Sequence, residues 1–163
     1  IKIKKNQILK ISVLIDKPGV IIIPILYFKK TKYTILVKQF RICKGTETYE
    51  FPSGEAENKN LYFEAIKELR EETCIDIKKN EIKKLDSIQM ITSSNSAIAN
   101  YFYFEKKIDS KFIKKFNYKK TGNTNDDEFI SLKIFKLKDL YKIKTANILS
   151  GLSMLREKGI IQF

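Results

Sequence analysis

Residues 51–76 read FPSGEAENKNLYFEAIKELREETCID, and the rest of the chain is arranged around them. Pro52-Ser53-Gly54 is a tight-turn sequence, since proline presets φ and glycine tolerates conformations other residues avoid. A short polar loop then leads into a helix from about Asn60 to Thr73, with Asn58 or Asn60 to cap its first N–H groups. On a helix, residues three and four apart share a face. Glu64, Glu68, Glu71 and Glu72 therefore fall on one stripe, and Tyr62, Ala65, Ile66 and Leu69 fall roughly opposite, as a buried side should. Like charges on one stripe repel, and a divalent cation would neutralise them. A hard cation such as magnesium takes carboxylate oxygens and keeps room for water and substrate phosphate.

The stretch resembles the Nudix box, whose family pattern is G-x5-E-x7-R-E-U-x-E-E-x-G-U with U aliphatic. Lys67 stands at the arginine, Glu68 at the following Glu, Leu69 at the aliphatic, Glu71 and Glu72 at the Glu pair, and Ile75 at the closing aliphatic. Glu50-Phe51-Pro52-Ser53-Gly54 resembles the family's E-[FL]-P-x-G entry. The box is degenerate. Lys67 replaces arginine, Cys74 replaces glycine, and the span from Gly54 to Lys67 is one residue short. The early Glu position falls on Lys59, with Glu57 and Glu64 as substitutes. Cys74 cannot adopt a positive φ as cheaply as glycine, so the helix exit is expected to differ or to carry strain.

Upstream, Val37-Lys38-Gln39-Phe40-Arg41 resembles the V-x-Q-[FY]-R run of ADP-ribose and nucleoside-diphosphate-sugar pyrophosphatases. The resemblance implies an α/β fold, a Nudix-type α/β/α sandwich with a mixed β-sheet. The box helix lies on one side, a C-terminal helix on the other, and residues 1–163 form a single domain. It implies hydrolysis of a nucleoside diphosphate linked to another moiety, with Mg2+ or Mn2+ held by Glu68, Glu71 and Glu72. Glu68, Glu71, Lys67 and Glu128 become the catalytic candidates, with Asp127 an alternative to Glu128 as general base or further metal ligand. An acidic turn before a strand would look the same. Lys67 would orient Glu68 or lie in a charge network. Arg41, Gly54 and Ser94 become the substrate-binding candidates. The Arg41 fork suits phosphate oxygens, and it equally suits a surface pair with a glutamate. Ser93, Ser94 and Asn95 lie in a polar loop that could bind ribose or simply turn the chain; the Gly and Glu of the family loop are missing. Relatives also dimerise by exchanging N-terminal strands, so a homodimer is a further expectation.

Composition bounds the alternatives. With 163 residues, 43% hydrophobic and 12% aromatic, the chain suits one folded domain. A net charge of +13 and a pI near 9.6 suggest an acidic partner, a nucleotide or RNA. Arginine occurs only at 41, 70 and 156, and abundant Lys, Ile and Asn are what AT-rich coding gives. Charge alone thus leaves two readings open: an active enzyme, or a weakened Nudix-fold protein that binds nucleotide or RNA, for example on a ribosome. The absence of histidine excludes histidine catalysis and histidine–metal sites. Cys43 and Cys74 have no metal or redox spacing, which suits free thiols in a reducing, cytoplasmic compartment. No run approaches membrane-span length.

In chain order, residues 1–17 suggest one or two strands. Val20–Phe28 and Tyr33–Phe40 read as a hairpin. Ile75–Leu85 reads as strand plus turn broken at Asn80, Asp86–Ile91 and Ala99–Phe104 as strands. Lys106–Lys120 interleaves lysines with Phe112, Phe116 and Tyr118, as a core-facing strand would, or a single-strand nucleic-acid binder. Phe129–Phe135 is a strand, Lys138–Leu140 a helical turn, and Thr145–Glu157 a helix ended by Gly159.

Overall fold

The structure, a computed structural model, describes residues 17–89, 96–122 and 129–162. Its central strand is β1 (Gly19–Phe28), a run of β-branched and large apolar residues buried on both faces. β1 turns through Lys29-Lys30 into β2 (Thr31–Arg41), the expected hairpin. β3 (Thr46–Glu50) pairs antiparallel with β2, and β4 (Ser53–Glu55) antiparallel with the start of β1. Helix α1 (Leu61–Thr73) follows, then β5 (Ile82–Gln89) and β6 (Ile98–Lys107). β6 lies parallel to β1 from Gly19↔Ala99 to Tyr27↔Lys107, which makes the sheet mixed. α2 (Ser110–Phe116), β7 (Lys120–Thr121), β8 (Ile130–Lys136) and α3 (Ala146–Glu157) complete the described elements. The sheet order is β5-β6-β1-β2-β8-β7, with β3 on β2 and β4 on β1.

Alternation along β1 divides the core. Val20, Ile22 and Leu26 pack with Ala65 and Leu69 of α1, beside Val37, Phe102 and Leu132. Ile21, Ile23 and Ile25 pack with Ile148, Leu152 and Leu155 of α3, beside Phe51 and Tyr101. This is the α/β/α sandwich, box helix on one side and C-terminal helix on the other. α3 crosses the sheet closely at Gly151, where a Cβ would stand 2.8 Å from Ile23 Cδ1 and 3.0 Å from Phe51 Cε2. Pro24 is tolerated in the central strand because it falls between two pairings of β1, with β4 at Gly19–Ile21 and with β2 at Leu26–Phe28.

Three expectations change. Residues 75–81 carry no strand, and β5 begins only at Ile82 with a register shift between Lys84 and Asp86. Residues 110–116 form a helix rather than a strand, capped by Asp109, whose carboxylate accepts the Phe112 N–H at 2.7 Å. The cap and the lysine-flanked Phe112 and Phe116, four apart, outweigh the aromatic β preference. Finally, the charge stripe of α1 is divided, as described next. Residues 1–16, with the strands expected there, lie outside the described residues. Among the described residues no helix is long and apolar enough to cross a membrane.

Candidate active site

The site is built where β4 docks on β1. The Ile22 N–H donates to Pro52 O at 2.8 Å, and Phe51 N–H to Asn147 Oδ1 at 3.0 Å, so the Pro-Ser-Gly turn is held by the central strand and by α3. α1 runs above it. Asn60 rather than Asn58 is the cap, accepting from Phe63 N at 3.3 Å. Cys74 ends the helix in the left-handed region (φ 56°, ψ 30°), donating its N–H to Arg70 O at 2.8 Å. The cysteine thus adopts the glycine geometry, and the strain expected at the helix exit is located there.

The acidic stripe does not face one environment. At 100° per residue it spans roughly 100° of the helix, with Glu71 at one edge and Glu72, next to Ala65, at the other. Glu71 is exposed, whereas Glu72 is 2% exposed and its Oε2 accepts from Ser53 N at 2.8 Å. Glu68 lies between them, its carboxylate so close over the turn that a Cβ on Gly54 would overlap it. Glu64 is fully buried under the loop, accepting from Asn58 Nδ2 at 2.5 Å and Glu57 N at 3.4 Å. The picture of four equivalent carboxylates is therefore corrected. Glu68 and Glu72 converge on Ser53-Gly54, Glu64 is satisfied by the loop, and Glu71 faces solvent.

Lys67 lies in a charge network. Its Nζ is 3.4 Å from Glu57 Oε2. Partial burial opposes its charge, but Glu57, together with the charges of Glu71 and Glu68, raises its pKa above the ordinary lysine value. Glu57, one of the two substitutes for the missing early carboxylate, is thus the ion-pair partner of Lys67.

Arg41 ends β2 beside the same turn. It forms a bidentate pair with Glu50, Nε to Oε1 at 3.0 Å and Nη2 to Oε2 at 2.7 Å, and Thr48 Oγ1 adds a bond to Glu50 Oε1 at 2.5 Å. Burial alone would push Glu50 up, but the hydrogen bonds from Arg41 and Thr48 overcome it and hold the carboxyl below its ordinary value. The Arg41 pKa is raised, chiefly by the Glu50 bonds and further by the charge of Glu72. Arg41, Gln39, Ser53, Gly54, Glu55 and Glu72 line one open cleft of about 380 Å³. Arg41 thus forms the pair with a glutamate that was one of its two readings, and it also borders the cleft.

Among the described residues no three Asp, Glu or Cys side chains are gathered into a group that could hold a metal ion. Two carboxylates one helical turn apart beside an open cleft still fit magnesium, which is bound by one or two carboxylates and completed by water and substrate phosphates. Ser94, Asp127 and Glu128 lie outside the described residues.

Sequence reasoning passed over Gln39 and Glu55, which flank assigned positions. It also missed Asn100, buried within the aromatic strand β6. Asn100 donates to Gly19 O at 3.1 Å and accepts from Ser87 Oγ at 2.9 Å, bracing the edge of the cleft. A lone amide in the run ANYFYF was the available signal. Thr121, also missed, donates to Glu72 O at 2.5 Å and ties β7 to the end of α1.

No protein-family model and no curated protein matches the chain. Solved structures do. One is a crystal structure of an ADP compounds hydrolase, 16% identical, with 89% of this chain and 76% of that chain covered and a TM-score of 0.64. Another is the NUDIX domain of Shewanella oneidensis NrtR in complex with ADP ribose, 13% identical, with 88% of each chain covered and a TM-score of 0.65. At such identities the likeness concerns architecture. The mixed sheet between two helical layers, with a box helix over the Pro-Ser-Gly turn, makes this chain a Nudix-fold protein.

Proposed function

We propose that the chain hydrolyses a nucleoside diphosphate linked to another moiety, of ADP-ribose or sugar-nucleotide type, with a bound divalent cation. The observation that carries this reading is the cleft that brings Arg41, Gly54 and Glu72 together, with Glu68 against the same turn. A cation on Glu68 and Glu72 would supply charge neutralisation of the diphosphate and a polarised water. The chain's own residues do the rest. Arg41 has its Nε hydrogen and one Nη2 hydrogen engaged by Glu50, so the two Nη1 hydrogens and the second Nη2 hydrogen remain to donate to a phosphate oxygen. Glu50 and Thr48 fix the guanidinium plane, which favours a directed contact over a mobile one. Gly54 lets Glu68 approach the backbone. Glu57 holds Lys67 beside Glu68 and Glu71, which keeps their like charges apart in energy from a bare acidic stripe. In hydrolysis a water oxygen bonds to phosphorus, the bridging P–O bond breaks, and the water's proton passes to a base, assigned in this reading to Glu128 or Asp127.

The test is a magnesium-dependent assay on ADP-ribose, sugar nucleotides, dinucleoside polyphosphates and capped RNA, beside Glu72→Gln. Turnover of a diphosphate substrate that falls about 100-fold or more in the variant is expected, since even indirect losses at metal sites cost 10–100-fold. No turnover on any substrate, with nucleotide still bound, would replace the enzyme by a nucleotide-binding protein.

A further inference from the structure

Apart from the cleft, the sheet has a surface at its β3-β2-β8 end that carries aromatic rings and lysines together. Side chains alternate along a strand. Gln39 and Arg41 line the cleft, so Lys38 turns to the opposite face, in register with Tyr49 of β3 and Ser131 of β8. Lys133 stands on that face two residues beyond Ser131. Its Nζ lies 5.2 Å from the ring centre of Phe135, 5.6 Å from Tyr49 and 5.8 Å from Tyr118. Tyr49 and Phe135 pack edge to face, centroids 5.1 Å apart. Tyr118 is 68% exposed. Its backbone is left-handed (φ 66°), its N–H donates to Leu132 O at 2.7 Å, and neighbouring Asn117 accepts the Ile134 N–H at 3.0 Å through Oδ1. An aromatic residue is thus presented to solvent from a strained backbone pinned to the sheet.

The geometry points to a binding surface for single-stranded nucleic acid, made by Tyr49, Tyr118, Lys133 and Phe135. Ring faces accept bases by stacking, and lysines beside them take the phosphates. Lys133 covers the rings in the free protein; a bound base takes the ring face while the ammonium moves to a phosphate. Charge complementarity favours this occupant. Lys38 is paired with Glu47, whereas among the described residues Lys133 has no ion-pair partner, and the chain is strongly basic. An acidic peptide would use the lysines and leave the rings idle. The surface lies on the face opposite Gln39 and Arg41, so the proposal does not rest on the hydrolase reading.

The experiment is fluorescence anisotropy with labelled single-stranded RNA and DNA of roughly ten nucleotides, within the usual site size. Duplex DNA and inorganic polyphosphate serve as competitors. Binding that weakens as salt rises is expected. Tyr118→Ala should weaken it by about 5-fold or more, and Tyr118→Phe should restore it, because stacking needs the ring and not the hydroxyl. Lys133→Gln should lower the salt slope by about 0.7. Diphosphate hydrolysis should be unchanged in Tyr118→Ala. Absence of binding at low salt overturns the proposal. So does equal binding by Tyr118→Ala, or displacement by polyphosphate as effective as by single strands, since either would reduce the interaction to lysine charge alone.

Discussion

The two halves of α1 carry the same kind of residue to different ends. In the first turns, Glu64 is enclosed by the loop and satisfied by Asn58 and the Glu57 amide. In the last turns, Glu68 and Glu72 lie against the Ser53-Gly54 turn, with Glu72 at the wall of an open cleft. One end uses a carboxylate to fold the loop. The other sets carboxylates against the turn that lines the cleft. Charge pattern alone does not distinguish these cases; the neighbouring backbone does.

A crossed pair of substitutions would break or confirm that contrast, and its effects should be the largest. Gly54→Ala places a Cβ inside the position of the Glu68 carboxylate, the far end of a flexible side chain. The side chain can swing aside, so stability should change little while turnover falls about 100-fold or more through the displaced group. Glu64→Ala should do the reverse. It leaves Asn58 Nδ2 and the Glu57 N–H without their acceptor, at a cost of about 1–3 kcal/mol, with turnover per folded molecule kept. Urea midpoints and kcat/KM on the same preparations check both. A Glu64→Ala protein that is stable and inactive would move Glu64 into the chemistry.

Legibility in the sequence followed the same division. The apolar run of β1 and the i, i+3, i+4 pattern of α1 located a buried strand and a helix, because buried faces impose a period, while the sandwich itself was implied by the resemblance to the Nudix box. The Pro-Ser-Gly turn was also readable, since proline and glycine have few other uses in such a run, whereas the residue type of Arg41 left its partner open. What could not be read was which carboxylate the loop would cover. Glu71 and Glu72 are adjacent in sequence and about 100° apart on the helix, and only the docking of β4 decides that Glu72 is buried and Glu71 is not. The Lys106–Lys120 segment failed for a related reason. Its aromatics suit a strand, and the Asp109 cap that turns it into a helix is a local detail.

The cleft's rim offers a smaller, pH-dependent effect. The Glu50 carboxyl is held below its ordinary value of 4.5. Its contribution to stability is therefore complete above that value and is lost as pH falls through the lower, folded-state value. Arg41 is partly exposed, so screening limits the pair to about 1 kcal/mol. The difference in urea midpoint between the native chain and Glu50→Gln should be constant from pH 7 to about 5 and close on further acidification. A difference that instead grew with acid would mean the carboxyl is not stabilised in its charged form.

The smallest effect belongs to the end of α1, where the sequence departs from the family's glycine. Cys74 sits at φ 56°. A left-handed conformation costs a non-glycine residue about 1–2 kcal/mol. Glycine removes that cost but adds unfolded-state entropy worth about 0.4–1 kcal/mol. Cys74→Gly should therefore gain a net ~0.5 kcal/mol, or about 1–2 °C in Tm for a chain of this size. Because Cys74 is exposed, little packing is lost to offset the gain. The same substitution sharpens the contrast between the helix halves. If relaxing the exit leaves turnover unchanged, Glu68 and Glu72 are positioned by the Ser53-Gly54 turn, where Glu72 has its hydrogen bond. If turnover rises together with stability, the strained cap had been pulling the last helical turn, and Glu72 with it, away from the cleft.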